Sequence, residues 1–223
     1  MDNIKLSKRL ELVAGFIRQG SVLADIGTDH GYLVCKLALD QIITKGYACD
    51  INPLPLHGAK NTIAEYGLDS KVETVLADGL DGLESRGITD IAIAGMGGEL
   101  IFNIVNNANW VKDSKINLIL QPMSRDYKLR TFLYSAGFEI VCESAVKCGK
   151  YYYTAMQVKY TGAKREIPPT FAWGGLLWGK SDEYSIGYLK SRYNLLKQKE
   201  PSFVEGDGYR EMLEMWKERF ENA

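Results

Sequence analysis

The chain reads as an α/β protein: a doubly wound, largely parallel seven-stranded sheet closed by a terminal antiparallel hairpin, followed by a small helical appendage. Three observations predict this. Short, continuously apolar strand candidates alternate with helical stretches, as in a sheet covered on both faces. The last two strand candidates, 138–145 and 151–160, leave no room for a helix between them. Beyond the proline pair Pro168-Pro169, apolar residues recur at helical spacing only.

Taken in order, an amphipathic helix opens the chain, with Leu6, Leu10, Val13, Ala14 and Ile17 on one face and Lys5, Lys8, Arg9 and Arg18 on the other. Strand candidates follow at 22–26, 45–50, 71–76, 90–94 and 115–120, with helical stretches near 31–39, 53–66, 79–86 and 97–108. A further helix at 126–136 leads into the hairpin. The expected division is 1–163 for the sheet domain, 164–170 for a linker and 171–223 for the helical domain. In the last, Ile186, Leu189, Tyr193 and Leu196 form one stripe, and Tyr209, Met212, Trp216 and Phe220 another. They are separated by Gly206-Asp207-Gly208, a pattern for two antiparallel helices packed in coiled-coil style.

Composition narrows the classes. The 223 residues carry a net charge of −1, and no apolar run approaches a membrane span, so a cytoplasmic protein without membrane attachment is expected. The four cysteines form no C-x-x-C pair and there are only two histidines, so no metal site is expected. Charge is uneven. Residues 21–123 hold seven basic side chains against thirteen acidic, whereas 124–165 hold eight against three. A basic region beside an acidic one suits a polyanionic substrate, although a solvated surface has the same composition.

The chemistry centres on Val22-Leu-Ala-Asp-Ile-Gly-Thr-Asp-His-Gly-Tyr32. A strand running into a glycine turn delivers that turn to the ligand crevice of a doubly wound sheet. Dinucleotide loops carry a second glycine where this chain has Asp29, and a carboxylate there repels a pyrophosphate. It attracts a cation, such as the ammonium and sulfonium of S-adenosylmethionine (SAM). Asp25 and Asp29 are candidates for the ammonium, with Gly27, Thr28 and Gly31 shaping the turn. Asp50, followed by Ile51, ends the second strand and is placed for ribose hydroxyls. Asp78-Gly79 follows the third strand, where Asp78 can accept from the adenine amine. Gly95-Met96-Gly97 ends the fourth strand, where small residues leave space beside the sulfonium. Gln121 ends the fifth and offers both a donor and an acceptor to a base edge. His30 is either a general base or a loop-stabilising residue, and His57 reads as surface. Tyr151, Tyr152 and Tyr153 read first as strand packing and second as base-stacking platforms. Lys5, Lys8, Arg9, Arg125, Lys128 and Arg130 are candidates for nucleic-acid phosphates.

Together these residues resemble the bacterial tRNA (adenine(22)-N1)-methyltransferase family. The matching pieces are Leu6-Ser-Lys-Arg-Leu10, Ala24 to Leu33, Asp78-Gly-Leu80, Ile93-Ala-Gly-Met-Gly-Gly98 and Leu118-Ile-Leu-Gln-Pro122, joined by Arg130, Leu133, Gly137-Phe138 and the tyrosine-rich final strand. The resemblance covers roughly residues 4–160. It implies SAM-dependent methylation of adenine N1 in the D-arm region of tRNA, and a C-terminal coiled-coil domain that helps hold the tRNA. This chain has Asp50 where Glu is expected, and its tail is short and aromatic rather than basic. Asp29, His30 and Gln121 form the expected catalytic set, Asp29 foremost through its charge, in a monomer or weak dimer. Other readings of the same residues are a methyltransferase for another RNA site or a small molecule, or an NAD(P)-binding protein.

Overall fold

The structure, a computed structural model, describes residues 4–199 and 208–221. Seven strands form one sheet: β1 (Ser21–Ile26), β2 (Ile43–Asp50), β3 (Val72–Leu76), β4 (Asp90–Gly97), β5 (Asn117–Ser124), β6 (Phe138–Cys148) and β7 (Tyr151–Tyr160). Their spatial order is β3-β2-β1-β4-β5-β7-β6, with parallel pairing from β3 through β5. The order reverses at β1, so the crevice beyond β1 and β4 is where a doubly wound sheet receives its ligand.

Alternation along each strand sends neighbouring residues to opposite faces. Leu23 packs with helices α1 (Lys8–Ala14), α2 (Tyr32–Leu39) and α3 (Pro53–Glu65), whose Val13, Val34 and Ile63 share its cluster. Ala24 and Ile26 face the other side, against Ile101 and Val105 of α4 (Gly98–Asn107) and Leu129 and Leu133 of α5 (Asp126–Ser135). Burial on both faces explains why these strands read as continuous apolar runs.

Two sequence expectations, the helix at 79–86 and the linker end, need correction. Residues 79–86 form turns, not a helix. Leu80 and Leu83 are buried at the spacing of a helix, but Gly79, Gly82 and Gly87 all hold positive φ, which a helix cannot accommodate. The expected antiparallel hairpin does close the sheet at its edge, with β6 outermost and β7 as its inner strand. Strand β7 inserts between β5 and β6, antiparallel to both, with Leu120 opposite Met156 and Phe138 opposite Tyr160. The supposed linker is shorter than 164–170. Helix α6 (Pro169–Gly174) begins at Pro169, where the missing amide is harmless and φ is already helical.

The C-terminal helices α7 (Glu183–Lys199) and α8 (Tyr209–Glu221) pack on each other through Tyr193 and Phe220, with ring centroids 5.9 Å apart. The pair is not a freestanding coiled coil, because α7 also lies on the hairpin. Tyr188, Leu189 and Trp216 share one apolar cluster with Ala145 of β6 and with Tyr152 of β7. Gly206 and Asp207 of the expected helix break lie outside the described residues. Among the described residues no helix is long and apolar enough to cross a membrane.

Candidate active site

The turn after β1 begins with Gly27 at φ 73° and ends with Gly31 at φ 68°, with His30 between them at φ 58°. A side chain on Gly27 would displace the flexible Met96 methyl group, and the positive φ itself favours glycine at this turn. The amides of Gly27 and Thr28 both donate to the Cys49 carbonyl, at 2.8 and 3.0 Å, which ties the loop to the end of β2.

A cavity of about 280 Å³ opens here, lined among others by Arg9, Asp25, Gly27, Thr28, Asp29 and Gly95. Asp25 is buried, and burial pushes its carboxyl up to about 6, opposed by the hydrogen bond from Thr28 Oγ1 at 2.7 Å. Asp29 is exposed and lies 3.3 Å from His30 Nε2. Gly95, at φ 84°, has nothing within 4 Å of where a side chain would begin, so its peptide borders open space.

Asp50 and Asp78 do not line this cavity but occupy the adjoining strand edge. Asp50 Oδ1 accepts the Asn52 amide at 2.7 Å, and its carbonyl accepts the Ala77 amide at 3.0 Å, one residue before Asp78. Ile51, 56% exposed, follows Asp50. Gly79 approaches Ile104, leaving little room for a side chain. Gly97 precedes α4, and a side chain on the next residue, Gly98, would sit 2.6 Å from the Arg125 carbonyl. The β4 turn is therefore glycine-rich both for packing and for space.

Several sequence-assigned roles change. Gln121 is fully buried, and its polar atoms are engaged: Oε1 accepts from Arg9 at 2.9 Å and Nε2 donates to the Pro122 carbonyl at 2.8 Å. It cannot reach a base edge as placed; it positions Arg9. Arg9 lines the cavity and lies over the Tyr153 ring, 5.4 Å from its centroid, instead of facing outward as a phosphate contact. His30 stacks on Tyr32 at 5.5 Å and abuts Gly58 of α3. With His57 it lines a second cavity, of about 570 Å³, that Asp29 also borders. That geometry favours the loop-stabilising role over the catalytic one.

Arg130 is the clearest correction. It is completely buried, donating to Glu143 at 2.6 Å, Tyr188 Oη at 2.8 Å and the Ala172 carbonyl at 2.8 Å, so no phosphate can reach it. Tyr188 donates in turn to Asp126, which also pairs with Arg192 at 3.3 Å. Lys5 and Lys8 are exposed as expected. Arg125 and Lys128 both meet Glu99, which offsets part of their charge.

Sequence reasoning missed Leu10, Leu33 and Ala94, which complete the cavity wall. Leu10 belonged to the apolar stripe of the first helix, and nothing in that stripe separates a pocket residue from a core residue. Cys35 and Cys49 are buried free thiols whose pKa burial pushes up to about 12, with Asp25 adding to the shift.

Residues 6–156 match the family model of the methyltransferase domain. The tRNA (adenine(22)-N(1))-methyltransferase of Bacillus subtilis is 37% identical over 152 residues, 66% of this chain and 64% of that protein. The chain thus spans slightly under two thirds of that relative. The Streptococcus pneumoniae protein assigned as a tRNA (m1A22) methyltransferase, solved with S-adenosyl-L-methionine, superposes with a TM-score of 0.82. It is 29% identical, with 96% of this chain and 99% of that one covered. The Mycoplasma capricolum TrmK structure with S-adenosyl-homocysteine gives a TM-score of 0.76 at 26% identity, with 97% of each chain covered. The chain belongs to the methyltransferase-domain family, and the relatives it resembles within that family are tRNA (adenine(22)-N1)-methyltransferases.

Proposed function

We propose that this protein is an S-adenosylmethionine-dependent methyltransferase that modifies N1 of adenine 22 in tRNA. The observation that carries the reading is the cavity at the β1 turn, which is acidic on one side and cationic on the other. Asp25 and Asp29 suit an ammonium, and Arg9 suits a carboxylate, so a zwitterionic amino-acid group fits between them. Gly27 and Gly95 keep backbone close to a bound ligand without side-chain obstruction. Asp50 and Asp78, on the adjoining edge, would hold the ribose and adenine portions.

When bound, S-adenosylmethionine supplies an electrophilic methyl group. Adenine N1 already has a lone pair, so the protein's work is alignment. Asp29, at the boundary of both cavities, places negative charge where the base becomes cationic on methylation. A base inside folded tRNA must first leave its stack, and the open space around Gly95 gives it somewhere to go. Lys5, Lys8, Arg125 and Lys128 supply an exposed cationic rim for phosphates, which makes affinity depend strongly on salt.

The test is incubation of the full chain with labelled S-adenosylmethionine and unmodified tRNA, followed by mapping of the labelled nucleotide. Label confined to adenine 22 supports the reading. Cofactor binding without any transfer to tRNA rejects it.

A further inference from the structure

The hairpin tip projects beyond β5 on the side of the sheet where β1 and β4 end, because β6 runs parallel to them and turns at Gly149. Residues 147–153 contain two lysines, three tyrosines and no acid. Strand alternation splits the tyrosines between two faces. Tyr152 turns toward α7, where it fills the space that a side chain on Gly187 would need. Tyr151 and Tyr153 share the other face, with ring centroids 6.5 Å apart. Lys150 lies over Tyr151 at 5.2 Å, and Arg9 lies over Tyr153 at 5.4 Å. The result is a continuous ladder of Arg9, Tyr153, Tyr151 and Lys150. It begins in the wall of the cofactor cavity and ends at the hairpin tip.

Packing does not require Tyr151, which is 57% exposed at a turn. Cationic side chains interleaved with exposed aromatic rings are what unpaired nucleotides bind: bases stack on the rings and phosphates meet the cations. The spacing of two strand residues offers one ring per splayed base, which a rigid duplex with stacked bases could not use.

We propose that this ladder binds unpaired RNA nucleotides next to the methylated adenine, holding the strand open beside the cavity. A base stacks on Tyr151, Lys150 takes a neighbouring phosphate, and Arg9 with Tyr153 forms the end that meets the cavity. The proposal rests on the RNA methyltransferase reading above and adds to it the part of the protein that keeps the target strand unpaired.

Four full-length proteins test it: wild type, Tyr151→Ala, Tyr151→Phe and Lys150→Ala. Each is titrated against unmodified tRNA and against a fully paired RNA duplex, and S-adenosyl-homocysteine affinity is measured alongside. Tyr151→Ala should weaken tRNA binding about tenfold, with Tyr151→Phe restoring it, while duplex and S-adenosyl-homocysteine affinities stay unchanged. Lys150→Ala should lower the salt slope of tRNA binding by about one. Wild-type methylation of tRNA with unchanged binding by Tyr151→Ala overturns the ladder and leaves the enzyme reading standing. Equal losses on tRNA and duplex also overturn it, because the contact is then not to unpaired bases. A wild type that binds S-adenosyl-homocysteine but neither binds nor methylates tRNA overturns both.

Discussion

Asp25 and Asp126 are both buried carboxylates, yet their surroundings push them in opposite directions. Asp25, at the β1 turn, is raised to about 6 by burial, with the Thr28 hydroxyl opposing. Burial would raise Asp126 too, but Arg192 and Arg130, with the Tyr188 hydroxyl, hold it below its ordinary value. Among the described residues Asp25 has no ion pair. Asp126 belongs to a closed network in which Arg130 meets Glu143, and Glu143 also accepts from Thr154 at 2.7 Å and the Leu176 amide at 2.9 Å. The difference separates function from architecture. A structural carboxylate is supplied with cations by its own fold, whereas a binding carboxylate is left for the ligand to neutralise. The absence of an ion pair at Asp25 costs stability, a cost that the proposed ammonium ligand would offset on binding.

The largest expected effect lies in the closed network. Arg130→Met strands Glu143 in the interior and should destabilise the fold by about 3–5 kcal/mol in urea unfolding. Adding Glu143→Leu should recover much of that loss, since no charge remains unpaired. If the double variant is no more stable than the single one, the network's penalty is not electrostatic.

Next come the two aspartates, which should respond with opposite signs. Asp126→Asn should lower the melting temperature. Asp25→Asn should raise stability at neutral pH by up to on the order of 2–3 kcal/mol, because it removes a buried carboxylate whose pKa is raised. The same change should weaken S-adenosyl-homocysteine binding about 10- to 100-fold by calorimetry, the loss of a charge-assisted contact. Equal melting shifts in both variants would erase the distinction between the two regions.

The pH dependence follows from the raised Asp25 value. Its ordinary value is 3.8 and its folded value about 6. The folded state therefore holds the proton more tightly between these values. The resulting stability is present below about pH 4 and is lost as pH rises to about 6. Ligand binding has the opposite sign, since an ammonium needs the ionised form. Affinity for S-adenosyl-homocysteine should fall by up to about tenfold per unit below pH 6, and the profile of Asp25→Asn should be flat there. Parallel profiles would remove Asp25 from the ammonium site.

A smaller effect is expected at Gln121. Gln121→Leu frees Arg9 and should reduce kcat/KM for tRNA about tenfold, with a stability change of less than about 1.5 kcal/mol. Smallest of all, Lys128→Ala should alter stability by under about 0.5 kcal/mol, because its pair with Glu99 is exposed to solvent. Its effect should be confined to the salt dependence of tRNA binding.

Local chemistry was legible wherever it was carried by local pattern. The apolar runs of β1, β4 and β5 revealed a doubly covered sheet because both faces of each strand are buried. The loop from Asp25 to Gly31 announced a ligand turn through its glycines, and Asp29 carried the expectation of a cationic ligand. Long-range partners were not legible. Arg130 sits in a basic stretch, and nothing adjacent to it in sequence shows that Glu143, Tyr188 and Ala172 converge on its guanidinium. Gln121 looked like a free base reader because Arg9, its partner, is 112 residues away. Leu80 and Leu83 mimicked helical spacing because two anchors three residues apart serve a glycine-rich turn equally well.

By itself the sequence determined the order of the strands and the reversal-point loop, since these depend on periodicity and glycine placement within short segments. Only the tertiary structure decided which charges are neutralised at home and which remain for a ligand. It also decided that β7 slips between β5 and β6, and that the tyrosines of the hairpin divide between α7 and an exposed ladder. The physical reason is common to all of these: burial and pairing are properties of a location in space, and residues far apart in the chain create that location together.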